Sequence, residues 1–388
     1  MEKSERIAVI DILRGLAILG IFMVNMPSFY TPINYMDGYD RWTSGSDRYL
    51  YIFTDIFAQA SFYPLFAFLF GFGAVILCER TVQKGKSFPF LFSKRLFALL
   101  VIGCLHAFFV WHGDILITYA LLGFIFLFFY KMGGRALLWI GSLLYLIPNG
   151  LLALGMLAVT LFEPSLAVFP TDQDMVRQSM ETYSAGTFME IMRQRISDWY
   201  YVNNGLNAPF LFLSIFPLFL IGAGFAKLQW LNDIQIHRKK LAVLVWAGLF
   251  LGLVFKCFPY LTAYNAGTMY VQEFGGPFLS IGYIGGIALL FQKKQAALLL
   301  RPLGSVGRMS LSNYLFQSLL CSFLFYSYGL GLYGKISYTA GFLLLVGIYA
   351  VQVFLSERWL RKFRFGPAEY MWRLAYGNTA HMQRKKAG

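Results

Sequence analysis

The sequence predicts an all-α polytopic membrane protein, and three observations carry that prediction. Of its 388 residues, 58% are hydrophobic and only 13% are charged, where a soluble domain carries about 25% charged residues. A spanning helix needs ~20 mostly apolar residues, and about ten such runs follow one another with short connectors. The basic residues collect between those runs and divide very unevenly between alternate connectors, as the connectors of a multi-pass protein do.

In chain order the runs fall at 7–28, 61–79, 96–112, 114–130, 136–162, 208–226, 241–262, 274–292, 309–328 and 338–356. The first follows a charged N-terminus, as a signal peptide would. Asp11 and Arg14 interrupt it and no A-x-A site follows, so it reads as a retained span. Residues 29–60 mix Tyr30, Tyr35, Tyr39 and Trp42 with Asp37, Asp40, Asp47 and Asp55, a blend suited to the membrane interface. Residues 163–207 are polar with apolar residues at helical spacing, Met180, Tyr183, Phe188 and Ile191 among them. They predict a short helical cap that either covers helix ends or gates an outward cavity. Gly248-Leu-Phe-Leu-Gly252 is a small-residue motif that lets two helices approach closely. Residues 1–358 therefore form one ten-helix membrane domain, with 359–388 left as a tail.

Of the 33 Lys and Arg residues, 26 fall on one side of this drawing, six on the other, and Lys256 alone lies within a span. The positive-inside rule makes the rich side cytoplasmic, with both termini inside and the chain in the cell membrane. The net charge of +14 is thereby explained without nucleic acid. In the tail, Trp359-Leu-Arg361-Lys362-Phe363-Arg364-Phe365 interleaves basic and aromatic residues, a mixture suited to an anionic lipid surface. The four cysteines fall inside spans without CxxC or Cys/His spacing, and His106, His112, His237 and His381 do not cluster. No disulfide framework and no metal site is indicated.

The residues with chemical potential concentrate at 93–123. An ionisable group in hydrocarbon costs at least ~2.5 kcal/mol, so one that persists faces a protein interior or an aqueous cavity. His106 lies eleven residues beyond Arg95, or ~16 Å along a helix. It is either a hydrogen-bonded packing residue or a neutral imidazole able to accept a proton. Asp114 follows Gly113 at a turn and either caps the next helix or orients a substrate. Asp11 and Arg14, three apart, meet on one helix face. They form a self-neutralising pair, or Arg14 joins Lys94 and Arg95 in holding a phosphorylated ligand. No G-x-S-x-G, Walker or Rossmann glycine motif occurs in a suitable context, which disfavours soluble hydrolase and nucleotide-binding folds.

Five stretches together resemble the YeiB family of bacterial membrane proteins: Asp11-Ile-Leu-Arg-Gly-Leu-Ala-Ile-Leu-Gly-Ile-Phe-Met-Val-Asn25; Phe66-Ala-Phe-Leu-Phe-Gly-Phe-Gly73; His106 with Gly113-Asp-Ile-Leu116; Gly307-Arg-Met-Ser-Leu-Ser-Asn-Tyr-Leu-Phe-Gln317; and Phe365-Gly-Pro-Ala-Glu-Tyr-Met-Trp-Arg373. More distantly, Asp11-x-x-Arg14-Gly15 followed by Asn25 is similar to the first span of transmembrane acyltransferases. Those enzymes pass an acyl group from cytoplasmic acyl-CoA to a sugar across the membrane. The resemblance implies acyl-CoA as co-substrate, with no covalently bound cofactor, and Asn25 as an active-site residue. One departure stands out: no histidine occurs from Asn25 to Gln59, where the lysosomal member has its catalytic one. Either His106 substitutes in space, or the fold is kept without the reaction.

Two functions are therefore expected. In the first, an acyltransferase-like protein uses His106 as general base, Asn25 to stabilise the oxyanion and Asp114 to orient the acceptor. Asp11, Arg14, Lys94 and Arg95 then line the substrate entrance, and the acceptor is an envelope glycan or lipid. In the second, a transporter or a lipid- or small-molecule-binding protein lines a pathway with the same residues. Membrane lipids are partners in both, and self-association is open.

Overall fold

The computed structural model describes residues 8–169, 171–377 and 382. Lys3, Arg6, His381, Arg384, Lys385 and Lys386, used above in reading charge and ligands, lie outside the described residues. Helix makes up 79% of the described residues, so the all-α expectation holds.

The first helices are α1 (Ala8–Tyr30), the single turn α2 (Gly38–Arg41), α3 (Gly45–Phe57), α4 (Phe62–Gln83), α5 (Phe88–Phe109) and α6 (Leu116–Phe126). They are followed by α7 (Gly134–Phe162), the cap helices α8 (Gln173–Ala185) and α9 (Phe188–Asn203), then α10 (Ala208–Lys227) and α11 (Arg238–Leu261). The chain ends on α12 (Ala266–Phe291), α13 (Lys294–Arg308), α14 (Ser310–Phe325), α15 (Tyr338–Lys362) and α16 (Pro367–Ala375). Eight described helical stretches are long and apolar enough to cross a membrane, which makes the chain a multi-pass membrane protein. The two remaining runs correspond to α6 and α14, of 11 and 16 residues.

Three boundaries differ from the hydropathy reading, each for a local reason. The interfacial segment 29–60 contains α3, which joins α4 in one apolar stretch over Gly45–Gln83. Helix α5 starts at Phe88 with Pro89 in its first turn, so Lys94 and Arg95 sit well inside the helix. Pro tolerates that position because its missing N–H has no helical partner there. The connector 294–308 is the amphipathic helix α13, too polar for a hydropathy window. It packs closely on α1, where a Cβ at Gly15 would overlap the Leu303 carbonyl and one at Gly307 the Asp11 carbonyl.

The largest core is built on α4 and α10, with Leu65, Phe68, Phe72, Phe216 and Phe219 buried among them. The small-residue motif of α11 meets α12, and a Cβ at Gly248 would lie 2.7 Å from the Phe278 carbonyl oxygen. The cap folds as two capped helices. Asp172 accepts from Met175 N at 3.0 Å, and Thr187 with Glu190 forms a reciprocal capping box on α9. Arg195 of α9, fully buried, donates to Phe109 O at 2.7 Å and Tyr328 OH at 2.6 Å. That bond ties the cap to the last turn of α5.

At the opposite end of α5, α16 docks against α5 and α14. Glu369 accepts from Leu311 N at 2.7 Å and Ser312 N at 3.2 Å, capping the N-terminus of α14. Trp372 donates to Arg95 O at 3.0 Å while its ring lies 4.2 Å from the Arg95 guanidinium carbon. The Trp372 ring thus packs on the protein through a cation–π contact.

Candidate functional site

Helix α5 ends at Phe109, and residues 110–115 form a turn before α6 begins. This turn brings Asp114 back beside the last turn of α5. His106 Nδ1 lies 2.8 Å from Asp114 Oδ1, and both side chains are withdrawn from solvent. Asp114 Oδ2 accepts from Ile117 N at 2.8 Å. The capping expectation for Asp114 is met by one oxygen, and the other holds the histidine, a contact the sequence did not predict. A carboxylate only accepts, so His106 donates from Nδ1, and in the neutral imidazole the lone pair then sits on Nε2. Nε2 is buried and has no hydrogen-bond partner among the described residues. The Tyr314 ring of α14 packs 4.9 Å from the imidazole centroid, and Trp111 packs at 6.3 Å.

His106 borders an elongated groove of about 1180 Å³ along α5. Its walls are apolar, built from Phe97, Val101 and Leu105 of α5 with Leu315 and Leu319 of α14. Lys94 and Ser93 stand at the far end, beside Met371 and Leu374 of α16. Lys94 and His106 are twelve residues apart, which on one helix is a rise of ~18 Å.

The other expected site residues separate. Arg14 pairs with Asp11 at 3.4 Å, as the self-neutralising reading predicts. The guanidinium of Arg14 reaches α4, 3.2 Å from where a Cβ on Gly73 would stand. Asp11 lines a different cavity, of about 880 Å³, together with Arg301, Arg308, Glu357 and Arg361. Arg95 is engaged by Trp372, leaving Lys94 as the basic residue lining the His106 groove. Asn25 is half-buried and does not line the groove. It lies four residues before Phe29, whose ring stacks on Trp111 at 4.2 Å, so the two share a face of α1.

Sequence reasoning missed the walls of the groove and Tyr314, because an apolar wall residue and a lipid-facing one carry the same signal. It also missed a second polar cluster. Lys256 of α11 is fully buried and donates to Gln59 O at 3.0 Å. Asp55 of α3 is buried beside it, and Glu273 of α12 lies within electrostatic reach. The signal available was Lys256 itself, the lone basic residue inside a span.

Above the dyad the cap forms a further buried network. Asp198 of α9 accepts from Tyr35 OH at 2.7 Å and Tyr183 OH at 2.6 Å. His112 Nδ1 lies 3.5 Å from Asp198 Oδ2. Burial holds the His112 imidazole below its usual pKa, against the pull of Asp198, and burial pushes the Tyr183 hydroxyl well above its usual value. Among the described residues no group of three or more His, Cys, Asp or Glu is arranged to hold a metal ion.

Comparison with known sequences follows the whole chain. A family model described as a protein of unknown function (DUF418) matches residues 225–378. The uncharacterized protein YxaH of Bacillus subtilis (strain 168) is 38% identical over 392 residues, covering 96% of this chain and 94% of that protein. An uncharacterized 39.9 kDa protein in the amylase 3' region of Bacillus acidopullulyticus is 30% identical, covering 96% of this chain and 94% of its own length. The uncharacterized protein YeiB of Escherichia coli (strain K12) is 30% identical, covering 95% of this chain and 96% of its own length.

Proposed function

The chain belongs to the YeiB family of membrane proteins, and on that footing we propose that it is an acyltransferase-like protein of the cell membrane. Both termini are then cytoplasmic, and the donor is acyl-CoA entering from the Lys94 end. The observation that carries this reading is the buried His106–Asp114 pair, its Nε2 unpartnered among the described residues, on a residue that lines an apolar groove of about 1180 Å³.

The chemistry follows from the geometry. Asp114 fixes the imidazole in the tautomer that leaves Nε2 basic, the role a carboxylate plays beside a catalytic histidine. Nε2 takes the proton of an acceptor hydroxyl on an envelope sugar or lipid as that oxygen attacks the thioester carbonyl. When the intermediate collapses, the C–S bond breaks and the CoA thiolate takes the proton back from Nε2. Lys94 offers a charge-assisted contact to donor phosphate, and the ~18 Å between Lys94 and His106 suits an extended pantetheine arm.

Calorimetry with acetyl-CoA, followed by thiol-release assays, tests this. Lys94→Ala weakens binding, while His106→Ala leaves binding in place and abolishes acyl transfer. Absence of binding to the wild type refutes the reading. It then promotes the second one, a transporter or a lipid- or small-molecule-binding protein. That alternative has its own support: the stretch from α3 to α4 breaks over residues 58–61 beside the buried Lys256, and broken helices mark pathways in transporters.

A further inference from the structure

The break between α3 and α4 is held open by specific partners. Ala60 adopts φ +54, a left-handed conformation that costs a non-glycine residue about 1 kcal/mol or more. Non-helical backbone at membrane depth survives only where its freed carbonyls are satisfied by protein. Here α11 and α12 satisfy them. Lys256 Nζ donates to Gln59 O at 3.0 Å, Tyr283 OH to Phe57 O at 2.9 Å, and Ser280 Oγ to Ser61 O. Gly276 lets α12 approach, since a Cβ there would overlap the Ala60 carbonyl oxygen.

A hydroxyl or amide would satisfy a carbonyl at far lower cost than an ammonium. The charged neighbours show what else the lysine does. Asp55 accepts from Tyr260 OH and Gln272 Nε2, both at 2.5 Å. Both donors meet the same oxygen, Oδ2. Glu273 is one residue beyond Gln272, and among the described residues its carboxylate has no hydrogen bond and no ion pair within 4.0 Å. Lys256, Asp55 and Glu273 nevertheless lie within electrostatic range of one another. One lysine can balance only one of the two carboxylates, so the site is neutral as a whole only when the other carboxyl holds a proton. An uncompensated ion there costs several kcal/mol, so the cluster holds one proton more or one fewer as conditions change.

We propose that Lys256, Asp55 and Glu273 form a proton-exchange site at the break between α3 and α4, which takes up and releases one proton and couples it to movement of the break. Glu273 carries the proton in the neutral state. When it ionises, Lys256 is drawn from the Gln59 carbonyl toward it, and the break loses one of its braces. The surroundings offer a route. On the cap side, Tyr260 and the Tyr51–Tyr264 pair at 3.1 Å lead outward toward Asp37 and Arg48. Toward the interior, Glu273 faces Tyr63 of α4, Tyr145 of α7 and Tyr270 of α12. Cys257 adjoins Lys256, and Tyr338 of α15 adjoins Asp55.

This inference is independent of the acyl-transfer reading, since it involves neither His106 nor the groove. Infrared pH-difference spectra of the purified full chain in lipid nanodiscs test it. In the wild type one carboxylic-acid carbonyl band titrates apart from the bands of the exposed carboxyls, and that band is the readout throughout. Glu273→Gln removes it, Glu273→Asp retains it at a shifted frequency, and Lys256→Met moves its midpoint by about one pH unit or more. Amide hydrogen exchange in a peptide covering residues 58–61 rises as the band disappears. A wild type without a titrating carboxyl band overturns the proposal. So does a band that survives Glu273→Gln, or a midpoint unchanged in Lys256→Met.

Discussion

Substitution at Asp114 separates the two tasks of one carboxylate. Asp114→Ala removes the acceptor for Ile117 N at 2.8 Å and the acceptor for His106 Nδ1 at 2.8 Å. Losing a helix N-cap costs about 1 kcal/mol, and leaving a buried donor unsatisfied costs about 1–3 kcal/mol. Together these predict a destabilisation of about 2–4 kcal/mol. Asp114→Asn is a different perturbation. Its single side-chain oxygen can still accept from Ile117 N, which turns the amide N–H toward His106 Nδ1. The imidazole then adopts the other tautomer, with a proton on Nε2 and no base there. Asp114→Asn should therefore unfold within a few degrees of the wild type in detergent, while Asp114→Ala unfolds clearly earlier. Acyl transfer, measured as thiol release, should fall by about 10²–10⁴-fold in Asp114→Asn. An alanine variant as stable as the wild type would refute the structural argument. An asparagine variant with full activity would remove the dyad from the mechanism.

Four further outcomes are expected. Arg195→Met loses the bonds to Phe109 O and Tyr328 OH, each of the charge-assisted kind, and should destabilise the cap by about 2–4 kcal/mol; faster proteolysis within residues 171–207 checks it. Because burial lowers the pKa of His112, the unfolded chain binds the extra proton first. The stability it protects is complete above the ordinary histidine pKa of about 6.5 and falls as pH drops below it. Melting at pH 8 and pH 5.5 should show that loss, and His112→Gln should reduce it. Glu369→Ala removes the cap on α14 and should cost about 1 kcal/mol, releasing α16; hydrogen exchange in residues 367–375 should rise while that of α12 stays unchanged. Reporter fusions after Gly133 and after Gly186 should report opposite sides of the membrane, and agreement between them would refute the ten-span topology.

Much of this protein is legible in its sequence because a bilayer leaves few options. Hydrocarbon cannot hydrogen-bond a backbone, so apolar runs must be helices, and α1, α7, α10 and α11 fall close to where hydropathy puts them. Polar side chains are expensive there, which is why His106, Asp114 and the Asp11–Arg14 pair stand out without any structure. Short-range rules also reach the capping by Asp114, since a cap lies within three residues of what it bonds.

The tertiary structure decided everything that depends on which helix faces which. Hydropathy averages over a window, so it passed over amphipathic α13 and left α3 in the interfacial segment 29–60, although α3 and α4 make one apolar stretch over Gly45–Gln83. It could not tell a wall of the His106 groove from a lipid-facing side chain, because Leu315 and Leu319 are apolar either way. Lys94 and Arg95 are neighbours in sequence and equal in charge, yet α5 turns one to the groove and the other under Trp372. Asp55, Lys256 and Glu273 come from three helices and are separated by up to 218 positions. Only the packing of α3 against α11 and α12 makes them one cluster. Charge and hydropathy are local properties that a residue carries wherever it goes; proximity between distant residues is created by packing, and the chemistry of this protein rests on proximity.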